Sequence, residues 1–460
     1  MQVAVLVWDL LGRIFVTKTA IKTKAIKVNY LARVEGEGAL LVRLRGQDVE
    51  DVQLKIFEPP RFFEALLRGR SVMETPDITA RIGGICPIAY QMSAVYAVEQ
   101  GLDVMVPPPI HDLRRLLYCG EWIESHALHL FMLHAPDFLG YPDAVAMAKD
   151  HAQRVEHGLA IKKSGNAIVS LVGGREIHPI NVKVGGFYGL PSRRELNLLK
   201  DQLSSALEIA IASTIWVSGF DFPDFDRSVV LVALRSTDEY PMARGRIVSN
   251  HGFDLPATEF DNFFEEIHVP YTTALHSFVK TEKGGGAYLT GPLARYAINR
   301  QWLHGRAREL TRSLNLGPVV TNPFKSIVVR GIEIVHAIEE AIRIIELYED
   351  TAIASVGVRL RAGQGCAATE APRGLLYHRY TFDAEGIISD AKIVPPTSQN
   401  QKSIEDDLRR LLPSFIGLPK SQMTHLCEQA IRNHDPCISC ATHFLRLEFD
   451  SVANDAMGDL

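Results

Sequence analysis

Between residues 25 and 58 apolar and polar positions alternate, in IKVNY, then ALLVRLRG, then VQLKIFE. Successive side chains of a strand point to opposite faces, so this alternation predicts strands, with Gly36, Gly38 and Gly46 at the breaks. From residue 60 the period changes. RFFEALLRGR places Phe62, Leu66 and Leu67 on one helical face. Helical spacing recurs over 93–101, 110–133, 144–164, 192–218, 294–314, 327–348, 403–412 and 421–433. Residues 172–191, VGGREIHPINVKVGGFYGLP, are glycine-rich and predict loops with short strands, and 228–271 predict short strands and turns. Alternation returns over 357–392, where RGLLYHRYTFDAEGIISDAKIV predicts a hairpin turning at Glu385-Gly386. No internal repeat or Ser/Gly linker divides the chain. The pattern predicts one multilobed α+β unit, a predominantly helical core of long helices with small antiparallel sheets at its periphery.

Composition narrows the class. The 460 residues are 47% hydrophobic and 22% charged, which excludes wholesale disorder and low-complexity architectures. A chain of this length buries a large core without staples. The formal net charge is -5, from 49 basic and 54 acidic residues, and so offers no broad basic field; no nucleic-acid partner is expected. Six cysteines are too few for a disulfide scaffold and suit a reducing compartment. The first residues, MQVAVLVWDLLGRIFVTK, carry no basic region before the apolar stretch and no clear cleavage site, so no signal peptide is expected. The longest apolar stretch, near 209–220, falls short of the about 20 residues that span a bilayer. A cytoplasmic protein without a direct membrane span is the expectation.

The densest chemistry lies near the C-terminus, in Asp435-Pro436-Cys437-Ile438-Ser439-Cys440-Ala441-Thr442-His443. Two thiols three positions apart and a histidine three further on can converge on one metal. Thiolates are soft ligands suited to zinc, nickel, copper(I) or iron. A metal-free buried pair or a redox pair is the bland alternative, but no thioredoxin-like βαβ pattern surrounds the motif. Far upstream lies Arg81-Ile82-Gly83-Gly84-Ile85-Cys86-Pro87, with a single cysteine and two glycines that allow close backbone approach. From the residues alone, Cys86, Cys437, Cys440 and His443 equally make a Cys3His zinc site.

The two segments together resemble the large, catalytic subunit of the [NiFe] hydrogenases. That family carries R-x-C-G-x-C near one end and D-P-C-x-x-C-x-x-H at the other. The second motif is complete here, and the first is complete except at Gly83, where the family has cysteine. Arg33-Val34-Glu35-Gly36, Glu370-Ala371-Pro372-Arg373-Gly374, Pro396-Thr397-Ser398-Gln399-Asn400 and the stretches 173–187 and 288–296 extend the resemblance from Arg33 to His443. Gly-Ile-Cys-Pro-Ile-Ala-Tyr-Gln and the compact length are most similar to the cytoplasmic bidirectional, NAD(P)-linked and sulfhydrogenase types.

The resemblance implies a fold of the hydrogenase large-subunit type and reversible heterolytic cleavage of H2 into protons and electrons. It implies a nickel–iron centre with carbon monoxide and cyanide on the iron. By position, Cys86 and Cys440 would bridge the metals and Cys437 would be a terminal nickel ligand, with Gly83 at the place of the missing one. Glu35 would accept the proton. A carboxylate serving so needs a pKa raised toward neutrality. Arg373 would sit over the open side of the metals and polarise hydrogen. Pro372, Pro396 and Thr397 would line the pocket, with Thr397 or Ser398 donating to a cyanide nitrogen. Glu64, nineteen residues before position 83, and His443 match a magnesium site. No iron–sulfur motif is left once these cysteines are assigned. The resemblance therefore also implies a small subunit carrying iron–sulfur clusters, flavin- and NAD(P)-binding diaphorase subunits, and a maturation protease and chaperones.

Gly83 admits three explanations: a mutated ligand position in an otherwise normal enzyme, which is favoured; a divergence that binds a different metal; or an inactive scaffold, as in the related quinone-site subunit of respiratory complex I. Removing even an outer partner of a metal ligand costs about 10–100-fold in affinity or activity, so little hydrogen turnover is expected. Residues 444–460 match the tail that family precursors lose after nickel enters, leaving 1–443 as the expected mature unit. With nickel insertion blocked, the tail is expected to remain.

Other features favour bland roles. His126 and His129, an i,i+3 pair, are expected to pack rather than chelate. His178 and His276 read as structural, Cys119, Cys366 and Cys427 as small buried hydrophobes, and Met92 and Met105 as core. GQGCAAT (363–369) lacks the strand-GxGxxG-helix frame of a dinucleotide site.

Overall fold

A computed structural model describes residues 4–8, 14–18, 23–46, 48–59, 61–281, 286–350 and 353–442. The centre is helical. Pro108–Ala127 continues without a break into a π-helical stretch, Leu128–His134. It packs on Ala144–Gly173 and on Ser326–Leu347, which in turn packs on Arg193–Ser218. Two of these helices touch backbone to backbone: a Cβ added at Gly165 would lie 2.6 Å from the Gly120 carbonyl oxygen, so only glycine allows the crossing. Ser326–Leu347 is buried along most of its length, including Glu333 and Glu340, which pair there with Arg295 and Arg115. Among the described residues no helix is long and apolar enough to cross a membrane.

Small sheets surround this core. Thr23–Val28, Gly38–Arg45 and Asp48–Ile56 form one antiparallel sheet, and Gly363–Ala371, Gly374–Phe382 and Ile388–Val394 another. A four-stranded sheet around Val230–Arg235 includes one parallel pairing, to Tyr288–Leu289. The hairpin expected at Glu385-Gly386 joins Gly374–Phe382 to Ile388–Val394.

Several elements differ from the periodicity reading for identifiable reasons. The helix expected at 93–101 spans Pro87–Leu102, because Glu121 of a neighbouring helix accepts the first amides, from Ile88 (2.6 Å) and Ala89 (3.1 Å). The helix expected at 294–314 is two, Pro292–Asn299 and Gly305–Ser313. Glu339 caps the second by accepting from Arg306 N and Ala307 N, each 2.9 Å. The helix after residue 60 covers only Phe63–Leu67. Phe62 precedes it in a left-handed conformation and is 39% exposed, and Leu66 is 48% exposed. Phe63 and Leu67, four apart, make the buried face instead. Met92 is core, but Met105 lies beyond the helix end and is 83% exposed. Cys119 and Cys427 are buried, whereas Cys366, on a strand, is only half-buried. GQGCAAT lies in the Gly363–Ala371 strand, pressed so closely on Pro87–Leu102 that a Cβ at Gly365 would sit 1.9 Å from the Ala97 carbonyl oxygen.

Candidate metal centre

Cys86 stands at the N-terminus of Pro87–Leu102, where Pro87 starts the helix. The segment bearing Cys437 and Cys440 runs alongside residue 35. Glu35 and Cys437 form an isolated parallel bridge, and Ile438 N donates to the Glu35 carbonyl at 3.0 Å. The chain therefore carries thiols 354 positions apart to within 3.7 Å, Cys86 Sγ to Cys440 Sγ. With Cys437 Sγ they form a buried group whose sulfurs all lie within 4.8 Å of one another. None is in a disulfide.

Gly83 belongs to this hollow. It is buried, and a Cβ built on it would lie 2.8 Å from Cys86 Sγ and 3.4 Å from Cys440 Sγ. A side chain here would point at the thiols.

The electrostatics are those of a dry site. All three thiols have pKa values raised well above the ordinary range. For Cys440 burial is the largest cause. For Cys86 and Cys437 the largest influence is a bond with a neighbouring thiol that lowers the value, which the other thiol and burial outweigh. Arg373 is 3% exposed; burial opposes its charge, but Asp435 and the three thiols more than offset that and raise its pKa. It donates from Nε to the Asp435 carbonyl (2.8 Å) and from Nη2 to Asp435 Oδ1 (3.2 Å). Nη1 is 3.4 Å from Ser125 Oγ.

The remaining sequence candidates divide. Thr397 Oγ1 accepts from Cys437 N at 2.9 Å, so it shapes the ligand loop directly. Ser398 Oγ is buried without a hydrogen-bond partner among the described residues. Pro396, also buried, opens the helix Pro396–Leu411. The Pro372 carbonyl accepts from Arg295 at 2.8 Å. Half-buried Glu35 accepts from Ser439 N (3.1 Å) and from Ser439 Oγ, beside Cys440. Glu64 accepts from Ile393 N at 2.7 Å. His443 and the tail 444–460 lie outside the described residues. His126 and His129 do not converge: His126 bonds Glu333 at 2.9 Å and His129 the Arg432 carbonyl at 2.7 Å. His178 bonds the Ala80 carbonyl at 2.7 Å, and His276 is buried.

Sequence reasoning missed the buried polar residues that hold the site. Arg295 donates to Glu333, Glu370, and the Ala371 and Pro372 carbonyls, and so fixes the turn that presents Arg373. Tyr90 is buried, its phenol pushed up by burial and by the three thiols. One signal for Arg295 was available: an arginine inside a short apolar helix needs a buried acid.

Residues 61–164 match the model of the nickel-dependent hydrogenase family. Sulfhydrogenase 2 subunit alpha of Pyrococcus furiosus is 34% identical over 429 residues, 92% of this chain and 100% of that protein. The NAD-reducing hydrogenase HoxS subunit beta of Cupriavidus necator is 26% identical, over 92% of this chain and 95% of that protein. Among solved structures, an NAD+-reducing [NiFe]-hydrogenase in the H2-reduced state superposes with a TM-score of 0.85 at 25% identity, covering 92% of this chain and 100% of that one. The chain belongs to the nickel-dependent hydrogenase family, and its helical core with small sheets is the fold of the [NiFe] hydrogenase large subunit. The donor set fits such a centre in part: three buried soft donors and a charged guanidinium are present, and the fourth thiolate is missing at Gly83.

Proposed function

We propose that this chain is the catalytic large subunit of a [NiFe] hydrogenase that interconverts H2 with protons and electrons, impaired by glycine at position 83. The observation that carries the reading is the convergence of Cys86, Cys437 and Cys440 in one dry hollow onto which residue 83 also faces. On this reading Cys86 and Cys440 would be ligands shared by the two metals and Cys437 would bind nickel alone. A bound nickel–iron centre, with carbon monoxide and cyanide on the iron, supplies heterolytic H2 splitting and electron uptake.

The chain's own residues do the rest. Metal binding displaces protons from thiols that the fold otherwise keeps neutral. Glu35, tied to Ser439 beside Cys440, is placed to take a proton from that edge of the hollow and pass it outward. Arg373 keeps a fixed positive charge beside the thiols and is held there by Asp435. Either hydroxyl could donate to a cyanide nitrogen: Ser398 has no partner among the described residues, and Thr397 accepts from Cys437 N, which leaves its own O–H free to donate. Pro372 and Pro396 would wall the pocket, and Glu64 and His443 would hold a magnesium ion.

Electrons leave through a small subunit with iron–sulfur clusters, since the thiols here belong to the centre. NAD-reducing and sulfhydrogenase relatives support diaphorase partners and a cytoplasmic location. Residues 1–443 would be the mature unit, with 444–460 the segment a protease removes once nickel enters; with Gly83 blocking nickel insertion, this chain keeps it.

Metal analysis with infrared spectroscopy tests this on the chain and on Gly83→Cys, each coproduced with its partners. Nickel and iron with carbonyl and cyanide bands in Gly83→Cys support it. Zinc without those bands supports a Cys3His zinc protein, and neither metal a scaffold. Intact mass shows whether the native-sequence chain retains its tail.

A further inference from the structure

The two cysteine segments come from opposite ends of the chain, and something must set their distance. Helix Pro87–Leu102 positions Cys86, and residue 35 positions Cys437, but neither links one segment to the other. Arg61 does. Its Nη2 donates to the Ile82 carbonyl at 2.6 Å, one residue before Gly83, and the same nitrogen donates to the Ser439 carbonyl, one residue before Cys440. Its backbone N–H donates to the Thr442 carbonyl at 2.6 Å. The guanidinium lies 5.3 Å from the centre of the Phe63 ring, which steadies its plane. Cys440 Sγ in turn lies 3.8 Å from the Ile82 oxygen.

Two carbonyl oxygens aimed at one point repel each other. A cation between them turns that repulsion into attraction, and charge-assisted bonds are the stronger kind. We propose that Arg61 is a positioning residue: its guanidinium clamps the Ile82 and Ser439 carbonyls and so sets the spacing of Cys86 from Cys440 that a metal requires. The inference rests on the metal-centre reading above. It assigns Arg61 no contact with substrate or metal; its action runs through the two loops.

Cadmium titration of the full chain tests this without relying on turnover. The ultraviolet thiolate-to-cadmium charge-transfer band grows with the number of thiolates bound and also reports affinity. The unmodified chain is expected to bind one cadmium through three thiolates. Arg61→Met is expected to bind at least tenfold more weakly with a smaller band, in line with loss of an outer partner of a metal ligand. Arg61→Lys, whose ammonium offers several donors to both carbonyls, is expected to recover most of the band. Arg70→Met, a neighbouring exposed arginine, is expected to change nothing. Arg61→Met with the full band and unchanged affinity overturns the proposal, as does a loss that Arg61→Lys fails to recover. Circular dichroism checks the fold. If Arg61→Met does not fold, Arg61→Gln carries the test, being too short to reach both carbonyls, with the same weakening expected and the same unchanged binding overturning the proposal. No three-thiolate band in the unmodified chain overturns the metal-centre reading itself, and that outcome is distinct from an Arg61 variant that matches the unmodified chain.

Discussion

Replacing Gly83 with cysteine probes the site most directly. The residue is buried but its φ lies outside the left-handed range, so a side chain meets no backbone strain. The new Cβ would stand 2.8 Å from Cys86 Sγ. That sulfur must retreat about half an ångström to reach ordinary contact, by a χ1 displacement costing about 0.5–1.5 kcal/mol. Replacing glycine restrains the unfolded chain and returns about 0.4–1 kcal/mol. The metal-free variant should therefore differ from the parent by no more than about 1 kcal/mol. The metal-bound state should differ far more. Losing an outer partner already costs about 10–100-fold, so restoring a direct thiolate should raise retention at least about 100-fold, or about 2.8 kcal/mol. Nickel and iron content after a chelator challenge, with melting temperature alongside, reads both numbers. Equal metal retention in parent and variant, with both folded, would refute the claim that residue 83 faces the metals.

In the Gly83→Cys background, Glu35→Gln keeps an oxygen for Ser439 but cannot carry a proton; turnover should fall about 10²–10⁴-fold with metal content unchanged, and an unaffected rate removes Glu35 from the proton path. Ser398→Ala should move a cyanide infrared band while the carbonyl band and metal content hold steady. Burial pushes Glu405 up to about 7 from an ordinary 4.5. The folded chain prefers the neutral carboxyl, so its support for folding is complete below pH 4.5 and is lost as pH rises to 7. Glu405→Gln, which still accepts from Leu54 N and the Tyr271 hydroxyl, should stabilise the protein by up to about 3 kcal/mol above pH 7 and by nothing near pH 4.5; a gain independent of pH refutes this. Gly365→Ala places a methyl 1.9 Å from the Ala97 oxygen and should cost more than about 3 kcal/mol in thermal unfolding; a normal melting temperature would show that the strand is not packed there as described.

Much of the fold was legible because hydrophobic period is local. The strands at 23–56, the hairpin at 385–386 and the long helices from 108 and 193 follow from it. The elements that misread were those bounded by a distant side chain. Glu121 extends one helix by capping it from another, and Glu339 divides the segment read as continuous. Met105 looked like core by type, but it follows the helix end at Leu102 and faces water. Arg61 had no motif to mark it, and the role of Arg295, though it lies in a family-like stretch, depends on main-chain carbonyls and acids far along the chain.

By itself the sequence determined which chemistry was possible: three soft donors, a missing fourth, an arginine and a glutamate in segments resembling one family. Donor type and local spacing are properties of neighbouring residues, so they survive without coordinates. Only the tertiary structure decided that these groups meet. Bringing Cys86 to 3.7 Å from Cys440 depends on helices whose backbones touch, on one guanidinium shared by two loops and on burial that keeps the thiols neutral. Those are non-local terms, set by which surfaces pack, and no window of the chain contains them.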